Sequence, residues 1–275
     1  MSSETINNIS QYLGLFDKRM ELRGKLYRGQ SKRAKDPEYR IISSVGRVKK
    51  AGKVEFDEFV KDEKKSHDIF LNQVVANIQV VPRNSWEILA LAQHHGLPTR
   101  FLDWTRNPLV ALYFAVRNAK YDSEESAVYI LTKDTIDYEN YVINCQSMAK
   151  KSMEEFIEKK RGARNRLHEE EIRYLVNRFE ISPFEITENI IYDPPHVSPR
   201  IRAQDGVLLA CHQPTEEIPE TDYIEILVQK GERENIRQEL EVYGIFDKQL
   251  FPDLDGLARW LRYKIFECQN IGDYR

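Results

Sequence analysis

Apolar residues recur every three or four positions in several stretches of the chain, a spacing that predicts amphipathic helices. The first helix is predicted over about 5–18, where Ile6, Ile9, Leu13 and Phe16 share one face. A second is predicted in KVEFDEFVKDEKKSHDIF, whose acids and lysines form a solvated face. Two more are predicted near the end of the chain, in GERENIRQELEVYG and DLDGLARWLRYKIFECQ.

Shorter runs of β-branched and aromatic residues predict strands. They are KLYRGQ, AVYILT, ITENIIY, GVLLAC and DYIEILVQ. The strands come in clusters separated by long helices, without the regular alternation of a doubly wound sheet. We therefore predict an α+β fold with a small mixed or antiparallel sheet surrounded by helices.

The stretch AQHHGLPTRFLDWTRNPLVALYFA, residues 92–115, carries the densest set of polar residues between apolar segments. A helix capped by Ser85 is expected to end at Gly96, and a second begins with Asn107 as cap and Pro108 in its first turn. Between the two helices, LPTRFLDWTR is predicted to be a polar connection. The question is whether this connection forms a ligand site or only a turn.

The amino-acid composition limits the classes of protein to which the chain can belong. The chain has 275 residues, 41% hydrophobic and 31% charged, with a net charge of -3. This balance is typical of an ordinary globular protein, so nucleic-acid binding would need a local basic patch. The three cysteines lie far apart without zinc-site spacing, so no metal is expected. The sequence shows neither a secretion signal nor an apolar run of membrane-spanning length, and we expect a cytoplasmic protein that does not engage a membrane. We further expect one domain over 1–275 with a charged helical insertion at about 146–180.

The candidate residues of the central stretch allow two interpretations. His94 and His95 are neighbours, so on a helix they point about 100° apart and cannot hold one metal ion together. Either histidine could cap the helix end or act in catalysis. Arg100 and Asp103 lie among apolar residues, where charges are usually paired with each other or with a ligand.

Two further segments carry similar polar groups. Tyr27-Arg28-Gly29-Gln30 ends a predicted strand, and its arginine could hold a phosphate or carboxylate close to the backbone at the glycine. The segment SPRIRAQDG, residues 198–206, places arginines and a glutamine immediately before a predicted strand, either as a ligand site or as a polar turn.

Five motifs, taken together, resemble one family. They are YRGQ, SVGR ending at Arg47, the 92–115 stretch, RIRAQDGVLL and LFPDLDGLARWL. This series looks like the FRG domain of bacterial and phage proteins, named after a Phe-Arg-Gly motif whose first residue is Tyr27 here. The resemblance covers nearly the whole chain, but the family name alone supplies no reaction. A role as a toxin or phage-defence effector is expected only together with an ADP-ribosyltransferase-like activity.

A more distant resemblance, to the ADP-ribosyltransferase fold, supplies a candidate reaction. It implies that NAD binds as substrate, held by an arginine on the first strand and by a hydroxyl motif ahead of a helix. Carried over to this chain by position, it assigns NAD binding to Arg28, the hydroxyl motif to Thr105, and the place of the glutamate motif to the RAQDG segment with Gln204. Gln30, Arg100 and Arg202 are further candidates for NAD binding, and His94, His95, Asp103 and Gln204 are the candidates for catalysis.

This chain departs from the transferase pattern in the third motif, where the family has a glutamate. Gln204 and Gly206 occupy the corresponding positions, and glutamine cannot carry the charge that stabilises a cationic transition state. Two alternatives therefore stay open. One is a non-catalytic module that binds a nucleotide or nucleic acid in the same cleft. The other is a regulatory protein that docks a macromolecular partner through its charged arm.

Overall fold

A computed structural model describes residues 4–48, 53–74, 77–78, 81–118, 123–160, 181–194 and 199–267. The helices in these ranges, numbered α1 to α9, are Ile9–Lys18, Phe56–Val74, Ser85–His94, Pro108–Val116, Tyr138–Lys160, Pro199–Ala203, Arg233–Val242, Asp247–Leu250 and Leu254–Arg262. The strands, β1 to β8, are Glu4–Ile6, Leu26–Gln30, Phe101–Thr105, Ser126–Leu131, Ile136–Asp137, Ile190–Tyr192, Gly206–Ala210 and Tyr223–Val228. Short 3-10 turns lie at Met20–Leu22, Val45–Arg47 and Glu220–Asp222, and a π-helical turn at Tyr263–Glu267 follows α9.

All eight strands belong to one mixed sheet in the order β1-β8-β4-β2-β3-β7-β6-β5. The two edge pairs, β1 with β8 and β5 with β6, are parallel, and the remaining neighbours are antiparallel. The prediction of an α+β protein with a mixed sheet is confirmed. The sheet is larger than predicted because the pattern analysis missed short edge strands and one central strand.

The missed central strand, β3, lies where the sequence predicts a polar connection. Four of its five residues are buried, on both faces of the sheet, and only Asp103 is exposed. A strand buried on both faces has no clear alternation of polar and apolar residues, which explains why FLDWT is not recognisable as a strand.

Helix α4 packs closely against strand β2, and Gly29 makes this approach possible. A Cβ atom on Gly29 would lie 1.8 Å from the Ala111 carbonyl oxygen and 2.7 Å from the Ala115 nitrogen. The helix is buried on nearly all sides, which matches its almost continuous apolar sequence. Its cap is the predicted one, since the Asn107 side chain accepts from the amides of Leu109 and Val110.

Other predicted boundaries shift by a few residues. The side chain that caps α3 belongs to Asn84, which accepts from the Glu87 amide, rather than to Ser85. The first helix begins only at Ile9, because Glu4–Ile6 pairs with β8 as an edge strand. The last predicted helix starts after its cap Asp253 and changes to a π-helical turn at Tyr263.

The charged insertion predicted at about 146–180 is helical in its first part, which belongs to α5. Residues 161–180, the rest of the predicted insertion, lie outside the described residues. Within the described ranges, no helix is both long enough and apolar enough to cross a membrane. Cys145 is half-buried and Cys211 is buried, and neither forms a disulfide; Cys268 is outside the described residues.

Candidate functional site

The sheet opens between its two central strands. β2 and β3 share a single register pair, Tyr27 with Thr105, whereas β2 pairs with β4 at five positions and β3 pairs with β7 at five positions. A cavity of about 480 Å³ is lined by residues from both diverging strands. It also takes lining residues from α3, α4, α6 and β7.

The three predicted motifs meet at this cavity. Strands β2, β3 and β7 are neighbours in the sheet, and Thr105 stands opposite Gly206 in the β3–β7 register. The Thr105 hydroxyl donates to the backbone carbonyl of Gln204 at 2.7 Å, which ties the second motif to the third. The sequence alone contains no information about this proximity, because the motifs are separated by about a hundred residues.

Arg28 crosses the opening between the central strands. Its Nη1 donates to the backbone carbonyl of Asp103 at 2.6 Å, and its Nε is buried without a hydrogen-bond partner among the described residues. Burial lowers the pKa of Arg28 to about 10, an effect that the nearby charge of Asp103 opposes. A guanidinium that is desolvated and has an unsatisfied donor is well suited to bind an anionic ligand.

A chain of hydrogen bonds fixes the Asp103 carboxylate. The Gln93 Nε2 donates to Asp103 Oδ1 at 2.8 Å, and the Gln93 Oε1 accepts from the Thr99 hydroxyl. Thr99 in turn accepts from the Phe101 amide through its Oγ1 at 3.2 Å. Because the threonine proton goes to Oε1, the Gln93 amide group must face the carboxylate. Oδ1 of Asp103 is thereby kept as an acceptor.

Two more basic side chains, His94 and Arg200, line the cavity. Burial, together with His95 and Arg200, lowers the pKa of His94. Burial also lowers the pKa of Arg200, while Asp103 acts in the opposite direction. Asp103 is the one carboxylate among the described lining residues, so the basic groups outnumber it.

Four residues predicted for the cleft lie elsewhere. Arg100 is 1% exposed and forms an ion pair with Glu63 at 2.5 Å, so its charge is used to dock helix α2 rather than to bind a ligand. Gln30 is buried and does not line the cavity, and its Oε1 has no partner among the described residues. His95 and Arg202 are exposed and do not line the cavity. Their neighbours His94 and Arg200 line it instead, because residues one or two positions apart on a helix point in different directions.

Thr105 and Gln204 line the cavity, but internal hydrogen bonds already engage them. The Thr105 Oγ1 donates to the Gln204 carbonyl and accepts from the Asn107 amide at 3.0 Å. The Gln204 Nε2 donates to the Leu250 carbonyl at 3.0 Å. These bonds fix the joint between strand β3, helix α4 and the start of β7.

The sequence reasoning missed Gln93 and Arg200 as site residues. Gln93 is a polar residue at the end of a helix that is otherwise strongly apolar, and this contrast was the available signal. Arg200 stands in the same short segment as Arg202, and only the orientation of α6 distinguishes the two.

Comparison with known proteins gives one result. A family model described as the FRG domain matches residues 23–124, a segment that holds Arg28, His94 and Asp103. No curated protein and no solved structure matches the chain. The matched segment supplies β2, β3 and the helices α3 and α4 that border the cavity. Residues 23–124 of the chain are therefore similar to the FRG domain.

Proposed function

We propose that the cavity binds NAD as a substrate and that the chain is an ADP-ribosyltransferase-like enzyme. One observation carries the proposal: a desolvated arginine with an unused donor, Arg28, shares a 480 Å³ cavity with the hydrogen-bonded carboxylate of Asp103. The volume lies within the range of pockets that hold small organic ligands. Aromatic walls from Tyr27, Trp104 and Phe114 suit the flat rings of a dinucleotide.

The basic groups fit the pyrophosphate of such a ligand. Arg28 and Arg200 both line the cavity, and guanidinium groups bind phosphate oxygens with paired donors. His94 adds a third donor whose charge depends on pH. Arg28 is the principal phosphate ligand, because burial lowers its pKa to about 10 and its Nε is buried without a hydrogen-bond partner among the described residues.

The reaction needs a carboxylate next to the ribose, and we assign this role to Asp103. Transfer requires the bond between ribose C1′ and the nicotinamide nitrogen to break, with the electron pair leaving on nicotinamide. A nucleophile of the acceptor then bonds to C1′ and gives up its proton. Asp103 is assigned both to stabilise the positive charge on the ribose and to take this proton on Oδ2. Gln204 cannot do either, since it is neutral and its amide group is bonded to Leu250.

Release of nicotinamide from NAD tests the proposal. The purified protein is incubated with NAD labelled in the adenine ring and with a cell lysate, and both free nicotinamide and labelled macromolecules are measured. Asp103→Asn should reduce the rate at least a hundredfold while leaving NAD binding within about threefold, and Arg28→Gln should weaken binding. Arg106→Gln is the matched control, because Arg106 is exposed and pairs with Asp193 outside the cavity. Nicotinamide release that is equal in Asp103→Asn and in the wild-type chain would refute the catalytic role.

A second candidate is a non-catalytic nucleotide-binding or nucleic-acid-binding module. The observation that favours it is that the side chains of Thr105 and Gln204 are hydrogen-bonded to backbone carbonyls of the chain itself. These two residues of the second and third motifs therefore stabilise the fold. In that case NAD or another nucleotide binds with dependence on Arg28, but no nicotinamide is released. Nucleic-acid binding would instead weaken steeply with added salt.

We further propose that a chain with ADP-ribosyltransferase-like activity acts as a toxin or a phage-defence effector. Expression of the wild-type chain in a bacterial host should then slow growth and lower cellular NAD, whereas Asp103→Asn should do neither. Equal growth of the two strains at equal protein level would contradict the role.

A further inference from the structure

Three arginines from separate parts of the chain surround one buried aromatic ring next to the cavity. The guanidinium carbons of Arg117, Arg200 and Arg259 lie 5.1 Å, 4.7 Å and 4.5 Å from the ring centre of Phe251. Phe251 itself is only 2% exposed and belongs to the hydrophobic core. They come from the end of α4, from α6 and from α9.

This arginine cluster, defined as Arg117, Arg200 and Arg259, is continuous with the cavity. Arg200 lines the cavity, and so does Phe114, whose ring packs against Phe251 at 6.1 Å. An anion held by the cluster would therefore lie at the edge of the proposed nucleotide site.

Carboxylates offset the charge of the cluster only in part. Asp247 lies 3.6 Å from Arg259, but it is also bonded to Arg237 at 2.9 Å. Burial lowers the pKa of Arg200, and so do Arg117 and Arg259, whereas Asp103 and Asp253 raise it. The guanidinium of Arg117 contacts aromatic rings and has no carboxylate partner among the described residues. Mutual repulsion between the three cations is thus left in the structure.

Stacking on Phe251 alone does not account for three arginines, since each additional cation at one ring adds repulsion. Repulsion of this kind is typical of sites that bind a ligand of opposite charge, where stability is lower than it could be. Three guanidinium groups at one ring suit a compact anion such as a phosphate, which can accept from more than one of them.

We propose that the arginine cluster is a phosphate subsite and that it holds a phosphate monoester carried by the bound nucleotide in addition to its pyrophosphate. The identity of the nucleotide rests on the proposed function, whereas the affinity of the cluster for phosphate does not. NADP carries such a monoester and NAD does not, so the subsite should make NADP bind more tightly than NAD.

Calorimetric titration of the full chain with NAD, NADP and inorganic phosphate tests the subsite. We expect NADP to bind roughly tenfold more tightly than NAD. Arg117→Gln should abolish this preference and weaken inorganic phosphate binding by a similar factor, without changing the affinity for NAD. Arg262→Gln is the matched control, because Arg262 lies on the same helix as Arg259 but pairs with Glu267 away from the cluster.

A thermal melt without ligand gives a second measurement. If the cluster is built for an anion, Arg117→Gln should melt at the same temperature as the wild-type chain or higher, because it removes repulsion. A purely structural role in covering Phe251 predicts a lower melting temperature and an unchanged preference between the nucleotides.

The outcomes separate the subsite from the proposed function. Equal affinities for NAD and NADP, with phosphate binding unaffected by Arg117→Gln, would overturn the subsite. Failure of both nucleotides to bind would refute the proposed function, whereas phosphate binding that still depends on Arg117 would uphold the subsite.

Discussion

Replacing Gly29 with alanine should separate strand β2 from helix α4. The added Cβ would lie 1.8 Å from the Ala111 carbonyl oxygen, so the two elements would have to move apart by roughly 1.5 Å to reach an ordinary contact. Neither element can yield easily, because β2 is paired along its length with β4 and α4 is almost entirely buried. We expect Gly29→Ala to lower the free energy of unfolding by about 3 kcal/mol, at the upper end of the cost of overpacking a core.

Gly14 provides the matched control for this substitution. It lies in α1 with nothing within 4 Å of an added Cβ, so Gly14→Ala should raise the free energy of unfolding by about 0.5–1 kcal/mol through helix propensity alone. Urea unfolding followed by tryptophan fluorescence measures both variants. If Gly29→Ala unfolds within about 0.5 kcal/mol of the wild-type chain while Gly14→Ala is stabilised, the explanation for the glycine is wrong.

Three further predictions concern charged groups and thiols. Arg100→Met should cost about 3–5 kcal/mol at pH 7, because it leaves the Glu63 carboxylate buried without a counter-charge. Burial already raises the pKa of Glu63, so this cost should shrink as the pH falls toward 5 and the carboxyl group takes a proton; equal losses in urea unfolding at both pH values would contradict it. Burial raises the pKa of Cys211 to about 12, so in the folded chain at pH 8 iodoacetamide should modify the half-buried Cys145 and leave Cys211 unmodified, as peptide mass mapping would show. Since the pKa of His94 lies below its ordinary value of 6.5, NAD should bind more tightly as the pH falls from 7.5 to 5.5; calorimetry on His94→Gln should show a flatter dependence, and an identical dependence would exclude this histidine.

The sequence predicts the parts of this fold whose signal is local. Helix α4 follows from its cap Asn107, from Pro108 and from a continuous apolar run, and the structure confirms all three. The prediction of a polar connection at β3 was wrong, because a strand buried on both faces resembles any short apolar segment. The edge strand at Glu4–Ile6 was hidden for another reason, since three residues are too few to show a period.

The candidate site also combines residues with a local sequence signal and residues without one. Arg28, His94 and Asp103 were identified from the sequence, because polar groups at the ends of apolar elements stand out. Arg100 looked equally suitable, but its partner Glu63 is thirty-seven positions away and no local pattern links them. Gln93 and the arginine cluster around Phe251 depend on contacts between distant elements, which only the folded chain brings together.

The single register pair between β2 and β3 also decides where the chain can be cut. Both strands lie in the matched segment 23–124, yet each has its long ladder with a strand outside that segment, β4 beginning at Ser126 and β7 at Gly206. An excised fragment 23–124 would keep one pair of bridged residues and lose ten, and we expect it to be unfolded in isolation. A piece of the chain that keeps β2 and β3 fully paired must therefore extend beyond the matched segment and include β4 and β7.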